Sequence, residues 1–311
     1  MDAELIVFSG NANRPLAEKI CDWLDMPLGE AVVSQFADGE TRVELNSNVR
    51  GRDVFIVQSL SRPANQHLME AMIMADAAHR ASAARVTLVA PYFGYARQER
   101  KSAPRTPISA KLVADLLQTA NFNRVLTLEL HTSAIQGFFN IAVDHLYAKP
   151  IFSTYFRRME NLVVVSPDAG GVERARAMAK HFNCGLAIVD KRRDKPNESA
   201  VMNIIGDVKG KNCLIIDDIV DTAGSLTKAA DALFAAGGLS VRAAISHPVL
   251  SGPAIENLER SKLEELVVTD SIQLPSEAKK CSKITQLSIA ELMGKAIRRI
   301  HNDDSISALF I

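Results

Sequence analysis

Cysteine is scarce in this chain. Cys21, Cys184, Cys213 and Cys281 stand far apart, with no C-x-x-C pair. That spacing argues against a disulfide framework and against a zinc site, and it suits a reducing compartment. Charge of one sign is also missing, because Lys+Arg and Asp+Glu both number 36. A balanced chain has no general pull toward nucleic acid or an anionic membrane surface. Aromatics at 5% leave little for base stacking. No apolar run approaches the ~20 residues of a membrane span. The residues ahead of Leu5-Ile6-Val7-Phe8 are too few and too uncharged for a signal peptide. The expectation is a cytoplasmic protein with neither a nucleic-acid nor a membrane partner. No G-x-x-x-x-G-K-[ST] loop occurs either. Its absence removes the phosphate-loop NTPase reading of an Asp pair behind an apolar strand.

What the chain has is length and alternation. Its 311 residues, 47% hydrophobic, are enough for about two domains. Short apolar runs predict strands near 5–8, 54–58, 86–90, 124–130, 163–166, 186–190, 213–216 and 241–246. Helical spacing of apolar residues predicts helices near 15–23, 66–81, 110–119, 171–182, 226–236 and 289–301. Strands alternating with helices imply an α/β protein with parallel sheets wrapped by helices. A weak internal repeat at an offset of about 157–159 residues suggests two copies of one domain. The expected domains are 1–147 and 148–311, dividing near Ala148-Lys149-Pro150, with the last helix free to pack back on the first.

One segment carries the chemistry: Cys213-Leu214-Ile215-Ile216-Asp217-Asp218-Ile219-Val220-Asp221-Thr222-Ala223-Gly224-Ser225. Four apolar residues read as a buried strand with two carboxylates at its end. A short turn follows, with a third carboxylate, a small pair and a hydroxyl, and then an amphipathic helix. In open α/β sheets ligands bind at the carboxyl ends of strands. A helix start offers unpaired N–H groups and partial positive charge to an anion, and small residues let backbone approach it. Asp217 and Asp218 repel phosphate, so they suit sugar hydroxyls or a metal. The loop points to a phosphorylated sugar. In the first repeat the equivalent Ser59-Leu60-Ser61-Arg62-Pro63-Ala64-Asn65 lacks the acids, so that copy is expected to have another role.

The loop resembles the phosphoribosyl-diphosphate motif of type I phosphoribosyltransferases. Four more segments stand in a fixed order: Phe36-Ala37-Asp38-Gly39-Glu40, Pro91-Tyr92-Phe93-Gly94-Tyr95-Ala96-Arg97-Gln98-Glu99-Arg100, Val165-Ser166-Pro167-Asp168-Ala169-Gly170-Gly171 and Asp190-Lys191-Arg192-Arg193. Together, over essentially the whole chain, they resemble the ribose-phosphate pyrophosphokinase family. The resemblance implies two tandem phosphoribosyltransferase-like domains, an ATP side in the first and a ribose 5-phosphate site in the second. It implies transfer of the β,γ-diphosphoryl group of Mg-ATP to the 1-hydroxyl of ribose 5-phosphate. The products would be AMP and 5-phosphoribosyl 1-diphosphate, the latter for nucleotide, histidine and tryptophan biosynthesis.

The same resemblance implies roles. Lys191 and Arg193 would be catalytic cations on a mobile loop, where charge spreads over phosphoryl oxygens. Phe36, Asp38, Gly39 and Glu40, on a hairpin turn, would meet ATP together with Arg97 and Gln98 of another subunit. His131 and Asp168 match positions that hold Mg²⁺, the implied cofactor. Asp217 and Asp218 would take the ribose hydroxyls, and Asp221, Thr222, Ala223, Gly224 and Ser225 the 5′-phosphate. A homohexamer activated by phosphate and inhibited by ADP is also implied, with Ser47, Arg50, Ser82, Ser305 and Ser307 as phosphate contacts. Asp194-Lys195, Glu99 and Ser225 depart from commoner residues and put fine specificity in question. Two rival readings are a phosphoribosyltransferase that consumes the product and a non-catalytic regulatory homologue. The first needs no ATP segments, and the second should have lost the Lys191–Arg193 cluster or the acidic loop.

Overall fold

The structure, a computed structural model, describes residues 3–192 and 201–309. The chain forms two compact units. One comprises 1–147, 271–273 and 288–311, and the other 148–270 and 274–287.

The first unit runs β1 (Leu5–Ser9), α1 (Arg14–Leu24), β2 (Ala31–Gln35), β3 (Thr41–Leu45), β4 (Asp53–Val57), α2 (Ala64–Arg80), β5 (Arg85–Ala90), α3 (Ser109–Thr119), β6 (Arg124–Leu128) and β7 (Ala142–Leu146). Five strands pair in parallel in the order β1-β4-β5-β6-β7. β4 is buried along its whole length, as expected of a parallel strand covered on both faces. The antiparallel hairpin β2–β3 stands outside that sheet. Ala31, Val33, Val43 and Leu45 pack its inner face against the core, while Arg42 and Glu44 alternate outward. Helix α1 starts on Asn13, whose side chain accepts from the Leu16 N–H, and stops where Asp25 turns left-handed.

The second unit runs α4 (Lys149–Phe156), β8 (Leu162–Ser166), α5 (Val172–Phe182), β9 (Gly185–Arg192), β10 (Val201–Ile205), β11 (Asn212–Val220), α6 (Gly224–Ala235), β12 (Ser240–Pro248), α7 (Ala254–Arg260), β13 (Glu265–Thr269), α8 (Ser276–Lys280) and β14 (Ile284–Leu287). Its seven strands lie in the order β10-β9-β8-β11-β12-β13-β14. The β9–β10 pair is antiparallel and the others are parallel. From β8 to β14 this order repeats that of the first sheet. The hairpin β2–β3 stands free, whereas β9–β10, at the same point of the repeat, extends the sheet.

The last helix, α9 (Ala290–His301), belongs to the first unit. It packs on α1, where a Cβ at Gly294 would run into the Trp23 indole. The Arg298 guanidinium lies 4.7 Å from the Trp23 ring centroid. The helix end is tied by a buried acid: Asp53, 2% exposed, takes Arg85 Nε and His301 Nδ1, each at 2.9 Å.

Two strands run further than their apolar cores suggest. β11 continues through both acids, because β12 continues beside it and pairs Asp217 with Ile245 and Val220 with Pro248. β9 continues through Lys191 and Arg192, because β10 pairs with it residue by residue. Strands β7, β10, β13 and β14, and the short helices α4, α7 and α8, lie outside the predicted elements.

Candidate active site

In the second unit β8 and β11 are parallel neighbours, with Val165 beside Ile215. The segments leaving their carboxyl ends therefore share one edge of the sheet. From β8 the chain turns through Pro167-Asp168-Ala169-Gly170-Gly171 into α5. Ser166 Oγ donates to the Asp168 carbonyl at 2.7 Å, and Asp168 Oδ1 accepts from the Gly171 N–H at 2.9 Å. A Cβ on Gly171 would stand 3.0 Å from Ser166 Oγ, so a larger residue there would press on the serine that holds the turn.

On β11 the acids are coupled. The Asp218 N–H donates to Asp217 Oδ1 at 2.9 Å. One Arg174 nitrogen stands 3.4 Å from Asp217 Oδ1 and 3.3 Å from Asp218 Oδ1. Burial, and then the charge of Asp218, push the Asp217 carboxyl well above the ordinary carboxylate range, against the pull of Arg174. A ligand that accepts negative charge, whether sugar hydroxyls or a hard cation, would favour its ionised form. The carboxylate oxygens of Asp168, Asp217 and Asp218 have the donor chemistry Mg²⁺ prefers. Among the described residues no group of three or more His, Cys, Asp or Glu could hold a metal. An ion there would take most of its ligands from phosphate and water.

Asp221-Thr222-Ala223 form the turn, and α6 begins at Gly224. Ala223 stands at its N-cap in the left-handed region, at φ 59°. Among the described residues no side chain caps this helix start, and Thr222 and Ser225 are exposed at it. The predicted phosphate-loop residues are thus one continuous feature, and both outer hydroxyls face solvent. Cys213, further back on the same strand, is an inert neighbour: burial pushes its thiol up to about 11.

Lys191 lies within β9, opposite Met202 on β10, rather than on a loop past the strand's end. Arg193, Asp194 and Lys195 lie outside the described residues. Sequence reasoning missed Arg174. A cation in a helix's first turn opposes the helix dipole, and that misfit was the available signal that it serves an acid.

The remaining predicted residues belong to the first unit. Phe36, Asp38, Gly39 and Glu40 make the β2–β3 turn, closed by Phe36 N–H to the Glu40 carbonyl at 2.8 Å. Gly39 takes φ 92°, and Asp38 Oδ1 accepts from the Glu40 N–H at 3.1 Å. Phe36 is 53% exposed, unusual for an aromatic on a turn. Arg97 and Gln98 follow β5 and are both exposed, and Gln98 Oε1 accepts from Ser109 Oγ at 2.6 Å. His131 is exposed beyond β6, which ends at Leu128 rather than Leu130. The loop 59–65 is sealed at its start, where Ser59, Leu60 and Ser61 are buried, while Arg62, Pro63 and Asn65 are exposed. Gln58 Nε2 donates to Glu70 Oε2 at 2.7 Å, and Ser59 Oγ to the Ser271 carbonyl at 2.5 Å. Glu70 is fully buried and also holds Asn11 through its backbone and side-chain nitrogens, at 3.2 and 2.9 Å.

A parallel α/β sheet with an acid-ended strand, a small-residue turn and an open helix start defines a protein of the phosphoribosyltransferase-like class. Residues 5–120 match the family described as the N-terminal domain of ribose phosphate pyrophosphokinase, and residues 191–311 match the phosphoribosyl synthetase-associated domain. The chain is 57% identical over 307 residues to the ribose-phosphate pyrophosphokinase of Rhizobium meliloti (strain 1021), covering 98% of this chain and 99% of that protein. Over 312 residues it is 52% identical to that of Corynebacterium ammoniagenes, covering 100% and 98%. The crystal structure of phosphoribosylpyrophosphate synthetase from Mycobacterium smegmatis superposes with a TM-score of 0.91 at 39% identity, over 96% of this chain and 99% of that one. The chain belongs to the ribose-phosphate pyrophosphokinase family.

Proposed function

We propose that this enzyme transfers the diphosphoryl group of Mg-ATP to the 1-hydroxyl of ribose 5-phosphate, releasing AMP and 5-phosphoribosyl 1-diphosphate. The observation that carries this reading is the acidic end of β11 running into the open start of α6. It joins groups that accept from sugar hydroxyls to groups that donate to phosphate within one continuous segment, 217–225. Asp217 and Asp218 accept from the ribose 2- and 3-hydroxyls. Backbone N–H groups and hydroxyls from Asp221 to Ser225 hold the 5′-phosphate. Phe36 stacks on adenine, with Asp38 and Glu40 accepting from the nucleotide, and Arg97 and Gln98 serve ATP. Lys191 and Arg193 stabilise charge on the transferring group, Lys as a point charge and Arg through its fork. His131 and Asp168 are the assigned Mg²⁺ ligands, and the bound ion would neutralise phosphate oxygens. A homohexamer whose ATP sites draw on two subunits, working in the cytoplasm, completes the proposal.

A coupled assay for AMP, with ATP, Mg²⁺, phosphate and ribose 5-phosphate, tests it on wild type and Lys191→Ala. The wild type should release AMP only when ribose 5-phosphate is present. The variant should lose at least about a hundredfold in kcat, the scale of one transition-state charge contact. Wild-type protein silent under saturating conditions would leave the regulatory homologue as the better reading.

A further inference from the structure

The phosphate loop does not hold its own shape. The segment that follows β12, together with the first turn of α7, clasps it from behind. The Leu250 N–H donates to the Val220 carbonyl at 3.1 Å and the Ser251 N–H to the Asp221 carbonyl at 3.0 Å. Asn257 Nδ2 donates to the Thr222 carbonyl at 2.9 Å. Ser251 Oγ also donates to Asp221 Oδ1. Three successive carbonyls are therefore turned toward one strap. In a planar trans peptide the carbonyl of one residue and the N–H of the next point in opposite directions. Fixing the carbonyls of Val220, Asp221 and Thr222 thus aims the N–H groups of Asp221, Thr222 and Ala223 away from the strap. Successive backbone N–H groups turned to one side make an anion-binding concavity. Backbone strain marks both partners: Ala223 has φ 59° and Leu250, beside Ser251, has φ 46°. Non-glycine residues hold such conformations only where their surroundings over-determine them.

We infer that Ser251 and Asn257 are positioning residues for ribose 5-phosphate, orienting the peptide groups that receive its phosphate without touching it themselves. The inference rests on the sugar-phosphate reading of this loop. It concerns binding of one substrate and not the chemical step, so it makes a split prediction. Asn257→Ala, and Asn257→Asp, which keeps the shape but loses the donor, should raise KM for ribose 5-phosphate roughly tenfold, one hydrogen bond's worth. KM for ATP should stay within about twofold. Ser251→Thr keeps both donors and should behave as wild type. Hydrogen exchange followed by mass spectrometry should quicken in 221–226 of the Asn257 variants and nowhere else. Wild-type KM for ribose 5-phosphate in both Asn257 variants would overturn the inference. So would an equal rise in both KM values with a lowered Tm, since that marks a general structural role. Wild-type protein lacking any ribose-5-phosphate-dependent turnover would instead bring down the parent reading, whatever the exchange data show.

Discussion

The turns from β4 to α2 and from β11 to α6 fill the same place in two repeats of one topology, yet they use their polar groups in opposite ways. In the first, Gln58 and Ser59 are fully buried. Gln58 Oε1 accepts from the Ala12 N–H at 3.0 Å, its amide reaches Glu70, and the Ser61 carbonyl meets His67 Nδ1 at 2.9 Å. A Cβ on Gly94 would collide with the Leu60 carbonyl, so the backbone after β5 packs directly against this turn. In the second, the acids lie against each other and one guanidinium, and Thr222 and Ser225 face solvent. Neither helix has a side-chain cap, so an uncapped start alone does not make a site. What separates the two turns is exposure: the first begins with the buried Gln58, Ser59 and Ser61, whereas the second presents Thr222 and Ser225 to solvent. The first loop adds to stability, and the second holds donors and charge ready for a ligand.

The comparison breaks most visibly at Glu70. Its replacement by alanine takes away the charged acceptor shared by Gln58 Nε2 and the Asn11 nitrogens, leaving Gln58 Nε2 the His67 carbonyl at 3.2 Å and Asn11 Nδ2 the Val33 carbonyl at 3.1 Å. The expected loss is roughly 2 kcal/mol of unfolding free energy, the scale of a buried hydrogen bond to a charged group. Urea unfolding measures it. A loss below about 1 kcal/mol would mean that water replaces the carboxylate and that the first loop is not sealed.

Asp217→Asn tests the open loop and has the opposite sign. The Asp217 carboxyl is raised in the folded protein by burial and by Asp218. A raised acid binds its proton more tightly folded than unfolded. Stability therefore falls as pH rises from the ordinary carboxylate value to the raised one, and the full cost is present above it. Asparagine removes that cost. The ligand-free variant should melt at a higher temperature than wild type at pH 7, and the gap should close as pH falls toward about 4. Its kcat/KM for ribose 5-phosphate should drop roughly 10- to 100-fold, through the loss of charge-assisted hydrogen bonds to hydroxyls. A variant both less stable at pH 7 and fully active would remove the distinction between the two loops.

Much of this contrast was legible in the chain itself. Apolar runs such as Val163-Val164-Val165 marked the central strands, because buried parallel strands are continuously hydrophobic. The acids after Ile216 marked the site, because nothing in an α/β core needs them. The resemblance of ordered segments gave the family. Other features depended on partners far away in sequence. The strand status of Asp217 and Asp218 is conferred by β12, and that of Lys191 by β10. β7 carries Asp144 and His145 inside it, which hides its period. Arg174, Ser251 and Asn257 are ordinary polar residues whose role depends on which atoms they reach, and no local pattern encodes that.

The smallest expected effect sharpens the comparison most. Among the described residues, positive φ at non-glycine positions occurs at Ala223 in the open turn and nowhere in 59–65. Holding an L-residue left-handed costs about 1–2 kcal/mol. Glycine removes that cost but adds about 0.4–1 kcal/mol of unfolded-chain freedom, and it loses the Ala223 methyl, which is 4% exposed and packed in the core, at about 0.8 kcal/mol. Ala223→Gly should therefore change stability by less than about half a kcal/mol, readable as a nearly unmoved urea midpoint. The same change frees the turn to sample conformations in which its N–H groups diverge, so KM for ribose 5-phosphate should rise about two- to threefold. A variant of equal or higher stability that binds more weakly would mean that the alanine holds the turn in a costly, ligand-ready shape. A variant that loses stability would mean that the strap already makes the left-handed shape the relaxed one. The readiness of the second loop would then lie in its hydrogen bonds to Ser251 and Asn257 rather than in its own backbone.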